Sequence, residues 1–356
     1  MSTMSALRIV EWGRAPEIVD VAVPQPAAGQ VRVRVAGCGL CHSDLTMAAM
    51  PGEIGEALGW QLPFTLGHET AGWVDAWGSG VEGYTEGEPV ALVAPASCGQ
   101  CRACRRGLES ACANGVVGRG YGRDGGLAEF VIVEDPDRSL LRLGNLDPRF
   151  AGPLTDAGAT SHHAVARVAT RVRDDGAVLV IGAGGLGSFV IQLSKLVTGG
   201  KVVAVDPLPH RRDKALELGA DFVVDGVGTA TVSELGGVLG GLPVDAVVDL
   251  VGSNETIAFA TKVIAPAGSI VVVGAAGGSL RRPVLGGLPG DVELWSFQGS
   301  DLADVRAVLD HAAAGELKVE TTSYPLSGVM DAYEAMENGT LEARAVVHPA
   351  STPKLD

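Results

Sequence analysis

The middle of the chain, from about residue 177 to 298, alternates short apolar runs with amphipathic segments. The apolar runs AVLVIG, KVVAVD, DFVVD, AVVDLVG and SIVVVG are rich in β-branched residues and have the length of strands. Between them, LGSFVIQLSKLV and RRDKALELG have helical spacing, and Gly219 ends the second of these segments. Strands that alternate with helices in this way predict a parallel sheet with helices on both of its faces.

The residues before about 155 have a different pattern. They form the short β-like runs VRVRVAG, AGWVDAWG, EPVALVAP and LAEFVIV, which glycine-rich turns separate, and this predicts an all-β unit. The C-terminal part is mixed, and ARAVVHP predicts a final strand. A helix that ends near Gly315 is predicted by four apolar residues on one face, namely Leu302, Val305, Val308 and Leu309.

Two uncharged stretches, residues 176–194 and 263–280, are as long as a membrane-spanning helix. Glycines interrupt the first, and Pro266 with several glycines interrupts the second, so buried strands joined by turns are the better interpretation. The N-terminus MSTMSALRIVEWG has neither the apolar core nor the cleavage pattern of a signal peptide. We therefore expect a cytoplasmic protein without a membrane segment.

Length and composition are those of a globular protein. A chain of 356 residues is long enough for roughly two domains. Hydrophobic residues make up 46% and charged residues 19% of the chain, which excludes a disordered chain or a coiled coil. The formal net charge of −15 would repel a phosphate backbone, so we expect no nucleic-acid partner.

Four of the six cysteines crowd into one segment, CGQCRACRRGLESAC, with the spacing C-x2-C-x2-C-x7-C. Disulfide bonds are the alternative, but they need an oxidising compartment. Four thiolates at this spacing can instead surround one tetrahedral zinc ion, and the arginines between them would favour the thiolate form. Since four ligands leave no open position, the predicted zinc is structural. Its ligands are Cys98, Cys101, Cys104 and Cys112, and the arginines are Arg102, Arg105 and Arg106.

A glycine-rich turn follows the first strand of the alternating region. Residues 182–187 form a G-x-G-x-x-G run between a strand and a predicted helix, where glycines would let a dinucleotide pyrophosphate approach the helix N-terminus. Asp206 ends the next strand, where its carboxylate can bind the adenosine ribose and repel a 2′-phosphate. Pro207 follows directly and leaves no adjacent Arg, so the sequence predicts NAD rather than NADP. The cofactor-binding turn comprises Gly182, Gly184, Gly185, Leu186 and Gly187.

The segments GLCHSD and GHE carry a second set of candidate metal ligands, which includes Cys41 and His68. A lone Cys or His is usually a core residue. Here a thiol, an imidazole and several acids lie near glycine bends in a chain that is predicted to bind NAD, and this favours a metal site. Cys38, His162 and His163 are interpreted as packing residues.

Together these motifs resemble the zinc-dependent alcohol dehydrogenases of the medium-chain dehydrogenase/reductase family. The motifs GLCHSD, LGHETAG, the four-cysteine segment, GPLTDAGAT, IGAGGLG, AVD and LELGAD occur in the family's order and span nearly the whole chain. The resemblance implies an α/β protein. Its GroES-like β-barrel catalytic domain would comprise residues 1–158 and 299–356, and a Rossmann domain with a doubly wound parallel sheet would comprise residues 159–298. It also implies two zinc ions and NAD as cofactors, and a homo-oligomer, either a dimer or a tetramer.

The resemblance assigns Cys41, His68 and Asp156 to a catalytic zinc ion. Many members have a cysteine where this chain has Asp156, but bacterial secondary-alcohol dehydrogenases that resemble it have an aspartate, and the ligand charge is the same. Glu69 would lie beside the metal, and Asp44 would orient the His68 ring through its other nitrogen. Three protein ligands leave the fourth position of the zinc ion for water or a substrate oxygen.

The resemblance also implies roles in proton transfer and cofactor binding. Ser43 matches the hydroxyl that takes the alcohol proton toward the nicotinamide ribose. Several relatives end that relay with a His where this chain has Thr46, which cannot act as a base near neutral pH. The residues that match cofactor contacts are His42 and Arg344 for the pyrophosphate, Thr160 for the nicotinamide, and Arg211 for the adenosine.

We expect hydrophobic secondary alcohols and their ketones as substrates, and a primary-alcohol or polyol dehydrogenase is the alternative. An aspartate at the position of Asp156 is a feature that this chain shares with the enzymes it resembles that act on secondary alcohols. The loop 50–62 also has few polar groups. A zinc-free quinone or enoyl reductase would give no reason for the three zinc ligands. A non-enzymatic binding module would not need Ser43 beside a metal ligand. The apolar surface would come from Ile54, Leu58, Trp60, Leu62, Trp295 and Phe297.

Overall fold

The computed structural model describes residues 2–283 and 285–349. The strands are β1 (Thr3–Ile9), β2 (Glu17–Ala22), β3 (Val31–Gly39), β4 (Phe64–Thr65), β5 (Glu69–Trp77), β6 (Pro89–Leu92), β7 (Gly118–Arg119), β8 (Gly122–Arg123), β9 (Phe130–Val133), β10 (Leu140–Arg142), β11 (Ala177–Ile181), β12 (Lys201–Val205), β13 (Phe222–Val224), β14 (Val244–Asp249), β15 (Ile264–Val272), β16 (Glu293–Ser296), β17 (Thr321–Pro325) and β18 (Arg344–His348). The α-helices are α1 (His42–Ala48), α2 (Gly52–Ala57), α3 (Pro136–Ser139), α4 (Pro148–Ala151), α5 (Ala157–Ala169), α6 (Gly185–Val197), α7 (Pro209–Glu217), α8 (Thr229–Leu239), α9 (Asn254–Val263), α10 (Leu302–Ala313) and α11 (Val329–Glu337).

The described residues divide into two compact units. The first unit takes the residues up to Ala159, Gly299–Gly315, and the residues from Val319 onward. The second unit takes Thr160–Gln298 together with Glu316–Lys318. Both ends of the chain therefore contribute to the first unit, and the second unit is inserted between them.

The second unit contains a six-stranded parallel sheet in the order β13-β12-β11-β14-β15-β16. All five residues of β11 are buried, as a central strand covered on both faces requires. The helices α6, α7, α8 and α9 pack against these strands. The predicted doubly wound α/β sheet is confirmed, and α7 ends near Gly219, whose φ of +103° favours glycine.

The first unit is built mainly from antiparallel strands. A seven-stranded sheet has the order β10-β6-β5-β3-β18-β17, with β9 also paired to β3, and a three-stranded sheet has the order β2-β1-β4. The C-terminal strand β18 pairs with β3 near the N-terminus, which brings the two chain ends into one sheet. Their inward side chains share one hydrophobic core, and this agrees with the predicted all-β unit.

Five short helices in the described part of the chain were not predicted from the sequence pattern: α1, α2, α3, α4 and α11. The predicted loop 50–62 includes α2, and the tail contains α11 in addition to the predicted α10 and β18. The helices α1 to α4 have four to seven residues and make at most about two turns, so their hydrophobic period is hard to detect. None of the helices in the described part of the chain has the length and apolarity needed to cross a membrane.

Candidate functional site

Four potential metal-binding side chains converge in the first unit: Cys41, His68, Glu69 and Asp156. Their ligand atoms all lie within 4.8 Å of one another. Cys41 is the residue before α1, and Asp156 is the residue before α5. Because β3 and β5 pair in the sheet, with Gly39 opposite Glu69, segments about thirty residues apart meet at the strand ends.

Two glycines allow this close approach of side chains and backbone. A Cβ atom on Gly39 would lie 2.1 Å from Oε2 of Glu69, which is far inside van der Waals contact. Gly67, directly before His68, has a φ of +97°, and a Cβ atom there would lie 2.6 Å from the backbone nitrogen of Leu127. The glycines in LGHETAG and GCGLCHSD are therefore required by the geometry of this site.

The two nitrogen atoms of the His68 ring face different carboxylates. Its Nε2 lies 3.5 Å from Oδ2 of Asp156, and its Nδ1 lies 3.3 Å from Oδ1 of Asp44. Burial lowers the pKa of the ring, but the two carboxylates outweigh it and raise that pKa well above its ordinary value. The surroundings of the ring thus favour positive charge, and Nε2 is the nitrogen that faces the other ligands.

Glu69 is held by Arg344 on the opposite side of the cluster. Nη2 of Arg344 donates to both carboxylate oxygens, at 2.5 and 2.6 Å, and to the backbone oxygen of Leu40 at 2.9 Å. Burial raises the pKa of Glu69 to about 7, and the guanidinium acts in the opposite direction. The structure therefore places Arg344 on a buried carboxylate of the first unit, and its contact with a pyrophosphate stays a prediction.

The donor set in this cluster suits zinc. A thiol, an imidazole and a carboxylate are the ligand types that zinc prefers, and their separations allow them to surround one ion. The buried Nδ1 of His68 and Oδ1 of Asp44 lie 3.3 Å apart and have no other partner among the described residues, so a small rotation of the ring would pair them. Arg344 pairs with Glu69, and the other three potential ligands of the cluster are Cys41, His68 and Asp156.

The four cysteines of CGQCRACRRGLESAC form a second cluster in the first unit. The Sγ atoms of Cys101 and Cys104 are 3.5 Å apart, and those of Cys98 and Cys112 are 3.7 Å apart. A disulfide bond would require about 2.05 Å, so all four are free thiols and the disulfide alternative is contradicted. Four sulfur atoms at these distances match the tetrahedral shell of one zinc ion.

The source of thiolate stabilisation differs from the prediction. Backbone N–H groups, those of Gln100 and Cys101 first among them, lower the pKa of Cys98 to about 6. The side chains of Arg102, Arg105 and Arg106 are exposed to solvent, where water screens their charge. The loop backbone, rather than the arginines, therefore favours the thiolate forms of Cys98 and Cys101, whereas burial raises the pKa of Cys104 to about 12.

The glycine turn lies in the second unit, between β11 and α6. Gly182 has a φ of +93°, and a Cβ atom on Gly187 would lie 2.2 Å from the carbonyl oxygen of Gly182. The turn is tight because these positions carry no side chain, and α6 begins at Gly185 with its first backbone N–H groups at the turn. This arrangement fits the pyrophosphate of a dinucleotide.

Asp206 follows β12 and stabilises the same turn. Its carboxylate accepts hydrogen bonds from the backbone N–H groups of Ala183 and Leu208, each at 2.9 Å, and the residue is 2% exposed. The expectation that no Arg neighbours this carboxylate is wrong in three dimensions. Arg211 lies in the first turn of α7, and its Nη1 is 3.8 Å from Oδ2 of Asp206.

The remaining predicted residues occupy varied environments. His42 and Ser43 are exposed in the first turn of α1, and the Thr46 hydroxyl donates to the backbone oxygen of His42 at 3.2 Å. Thr160 is 7% exposed in α5. Leu186 lies in the first turn of α6, where its carbonyl oxygen accepts a hydrogen bond from the Ser161 hydroxyl at 3.1 Å.

The residues that were predicted to pack in the core or to line an apolar pocket differ in their burial. Cys38 is fully buried, and burial raises the pKa of its thiol to about 12, which makes it unreactive. His163 is 3% exposed, and its ring centroid lies 4.4 Å from that of Phe297. Trp295 is 37% exposed on β16, and Ile54 is 50% exposed, so neither is part of a buried wall.

Two aromatic residues near the first cluster were missed in the sequence. The ring of Tyr121 lies 6.4 Å from that of His68, in an edge-to-face arrangement. Tyr333 in α11 donates a hydrogen bond to Oδ2 of Asp44 at 3.0 Å. Neither tyrosine belongs to a sequence motif of the cluster, because both reach it only through the tertiary fold.

Comparison with known proteins agrees with this geometry. Residues 27–144 match the alcohol dehydrogenase GroES-like domain, and residues 185–313 match the zinc-binding dehydrogenase domain. The first match lies within the first unit, and the second covers most of the second unit and continues into residues 299–313 of the first. The matches confirm the GroES-like and Rossmann fold assignments.

Three relatives span almost the entire chain. An NAD-dependent alcohol dehydrogenase of Sulfurisphaera tokodaii is 33% identical over 97% of this chain and 100% of its own length. A D-arabinose 1-dehydrogenase (NADP(+)) of Saccharolobus solfataricus is 30% identical over 98% of this chain and 99% of its own length. The crystal structure of an alcohol dehydrogenase from Aeropyrum pernix, 32% identical, superposes with a TM-score of 0.87 over 97% of this chain and 100% of that one. The chain therefore belongs to the zinc-containing alcohol dehydrogenases of the medium-chain dehydrogenase/reductase family.

Proposed function

We propose that this NAD-dependent alcohol dehydrogenase interconverts hydrophobic secondary alcohols and ketones at a zinc ion held by Cys41, His68 and Asp156. The observation that carries the site assignment is the convergence of these three side chains on one point of the first unit. The pair formed by Glu69 and Arg344 leaves the three ligands available. The glycine turn and Asp206 in the second unit support NAD as the hydride carrier.

Each group of the site has a separate task. Zinc, when bound, would supply a Lewis acid for the alcohol or carbonyl oxygen, and NAD would supply the hydride acceptor. Asp44 keeps Nδ1 of His68 on the protein side, so that Nε2 remains directed at the ligand cluster. Ser43, exposed two residues after Cys41, would take the proton of the substrate hydroxyl.

We expect Ser43→Ala to lower kcat by at least ~10²-fold, because a lost proton-transfer group typically costs that much. Steady-state measurement of NADH formation with a saturating alcohol would determine it. Thr46→Ala is the matched control, since the Thr46 hydroxyl already donates to the backbone of α1 and should be dispensable. If Thr46→Ala lowered kcat as much as Ser43→Ala, the proton would pass through Thr46.

We expect the wild-type enzyme to prefer NAD strongly over NADP, and Asp206→Gly to reduce that preference. The change removes the carboxylate that would repel a 2′-phosphate and frees Arg211, 3.8 Å away, to bind that phosphate. Values of kcat/KM for both cofactors would measure the effect. Asp225→Gly, at an exposed position after the next strand, should retain the wild-type ratio. Equal use of both cofactors by the wild type would contradict the role of Asp206.

The substrate proposal rests on an aromatic cluster next to His68. The rings of Trp12, Trp60, Phe64 and Tyr121 lie with neighbouring centroids 5.8 to 6.5 Å apart. Nε1 of Trp60 already donates to the backbone oxygen of Val116, and the Tyr121 hydroxyl is bonded to backbone groups of Ala94 and Ala96. Trp60 and Phe64 are 7% and 2% exposed, so on the Tyr121 side His68 is bordered by an apolar core of buried rings. A sugar hydroxyl left unpaired against them would cost about 1–3 kcal/mol.

A panel of alcohols tests this proposal, with NADH formation as the readout. We expect aryl and medium-length alkyl secondary alcohols to give the highest kcat/KM, primary alcohols to be slower, and polyols to be very poor. The alternative is a polyol or sugar dehydrogenase, which the similarity to the D-arabinose 1-dehydrogenase favours. A higher kcat/KM for a polyol or an aldose than for 1-phenylethanol would establish that alternative instead.

We also propose, from the family resemblance, that the chain forms a dimer or a tetramer. Light scattering coupled to gel filtration should give a mass of two or four times 36.3 kDa. A mass of a single chain at micromolar concentration would contradict this proposal.

A further inference from the structure

The carboxylate of Asp44 has a distinct partner on each side. Its Oδ2 accepts a hydrogen bond from the backbone N–H of Cys41 and another from the hydroxyl of Tyr333, both at 3.0 Å. Its Oδ1 faces Nδ1 of His68 at 3.3 Å. Asp44 is fully buried, so these protein groups, rather than solvent, determine how the carboxylate is rotated.

We propose that Tyr333 is a positioning residue for the catalytic zinc. Its hydroxyl holds Oδ2 of Asp44, and this directs Oδ1 at Nδ1 of His68 and the Nε2 of the ring at the metal. The inference rests on the proposed function, because it requires zinc at Cys41, His68 and Asp156. It adds a residue of α11 to those that act on the metal, since Tyr333 is 289 residues from Asp44 in the sequence.

A purely structural role for Tyr333 would not explain its hydroxyl. The side chain is 1% exposed in the core of the first unit, where a phenylalanine ring would fill almost the same volume. A buried hydroxyl costs free energy unless it is paired, and its partner here is the carboxylate that faces a zinc ligand. Burial and the charge of Asp44 raise the pKa of Tyr333 well above its ordinary value, so the phenol stays protonated and can only donate to the carboxylate.

The loss of this hydroxyl would release the carboxylate. Oδ2 would keep a single donor, the backbone N–H of Cys41, and the carboxylate group could rotate about its Cβ–Cγ bond. His68 would then lose the fixed partner of Nδ1 that orients its ring. Removing such an outer partner of a metal ligand typically weakens metal binding or activity by about 10- to 100-fold.

Zinc retention under a chelator tests the role of Tyr333 in the full-length protein. We expect the chelator to remove the zinc at Cys41, His68 and Asp156 from Tyr333→Phe about 10-fold faster than from wild type. The zinc at the four cysteines is the internal standard and should leave both proteins at the same rate. Cobalt substituted at the catalytic site should show an altered visible spectrum in Tyr333→Phe. Tyr324→Phe, which removes a phenol hydroxyl from a partly exposed position in the same hydrophobic cluster, should behave as wild type.

A double-mutant cycle separates this role from loss of packing. In an Asp44→Asn background, Tyr333→Phe should cause little further change in zinc retention, because both changes remove the same interaction. Additive effects, equal loss of both zinc ions, or wild-type retention and spectrum in Tyr333→Phe would overturn the assignment. A wild-type protein that binds zinc only at the four cysteines would instead overturn the proposed function, and the assignment of Tyr333 with it.

Discussion

Asp156→Asn is expected to lower kcat/KM for alcohol oxidation by at least ~10³-fold and to leave the fold intact. The change replaces an anionic ligand by a neutral amide and removes the carboxylate that faces Nε2 of His68. Lewis-acid stabilisation by a metal is worth several kcal/mol, and each 1.4 kcal/mol corresponds to about a tenfold change in rate. The side chain of Asp156 is 21% exposed, so the new amide is not buried without partners.

Kinetics, zinc analysis and thermal unfolding of Asp156→Asn should be measured together. We expect one zinc ion per chain and a Tm within about 2 °C of wild type, since substitutions outside the core usually change stability little. Asp137→Asn, an exposed aspartate of the first unit, is the control and should match the wild type in all three measurements. Near-normal kcat/KM in Asp156→Asn would exclude Asp156 as a ligand of the catalytic metal.

Cys101→Ser is expected to lower the Tm by about 10 °C. The segment from Cys98 to Cys112 contains no strand and only two 3-10 turns of three residues, so few of its backbone groups are held by regular structure. A structural zinc contributes its binding free energy directly to folding. Removing one of four thiolates should therefore release this segment and its zinc ion together.

Differential scanning calorimetry and zinc analysis would measure the effect of Cys101→Ser. Arg102→Ser is the matched control, because it places the same side chain at the next, exposed position. We expect the control to keep both zinc ions and the wild-type Tm, since Arg102 is exposed and backbone N–H groups lower the pKa of Cys98. An unchanged Tm and two zinc ions in Cys101→Ser would show that the four cysteines do not form a structural metal site.

The sequence predicted the architecture where local patterns are long or repeated. The five apolar runs between residues 177 and 298 became β11 to β15, because a strand that is covered on both faces must be apolar along its whole length. The edge strand β16 was not among them, since its residues are partly or fully exposed.

The potential metal ligands were predictable from short motifs and from the family resemblance, whereas the partners of those side chains were not. The cysteine spacing and the segments GLCHSD and LGHETAG indicate their ligands locally. The contact of Arg344 with Glu69 and that of Tyr333 with Asp44 each join residues more than 270 positions apart. Such contacts depend on β18 and α11 returning to the N-terminal sheet, and no local pattern encodes that return.

Anomalous diffraction at the zinc absorption edge, from crystals grown without chelator, is the most direct measurement of where metal binds. We expect two peaks per chain. One should lie among the four Sγ atoms of the cysteine segment, and the other about 2.3 Å from Sγ of Cys41 and about 2.0–2.1 Å from Nε2 of His68, with Asp156 completing the set. A single peak at the four cysteines, or a second peak bound to Nδ1 rather than Nε2 of His68, would contradict the catalytic zinc centre described above.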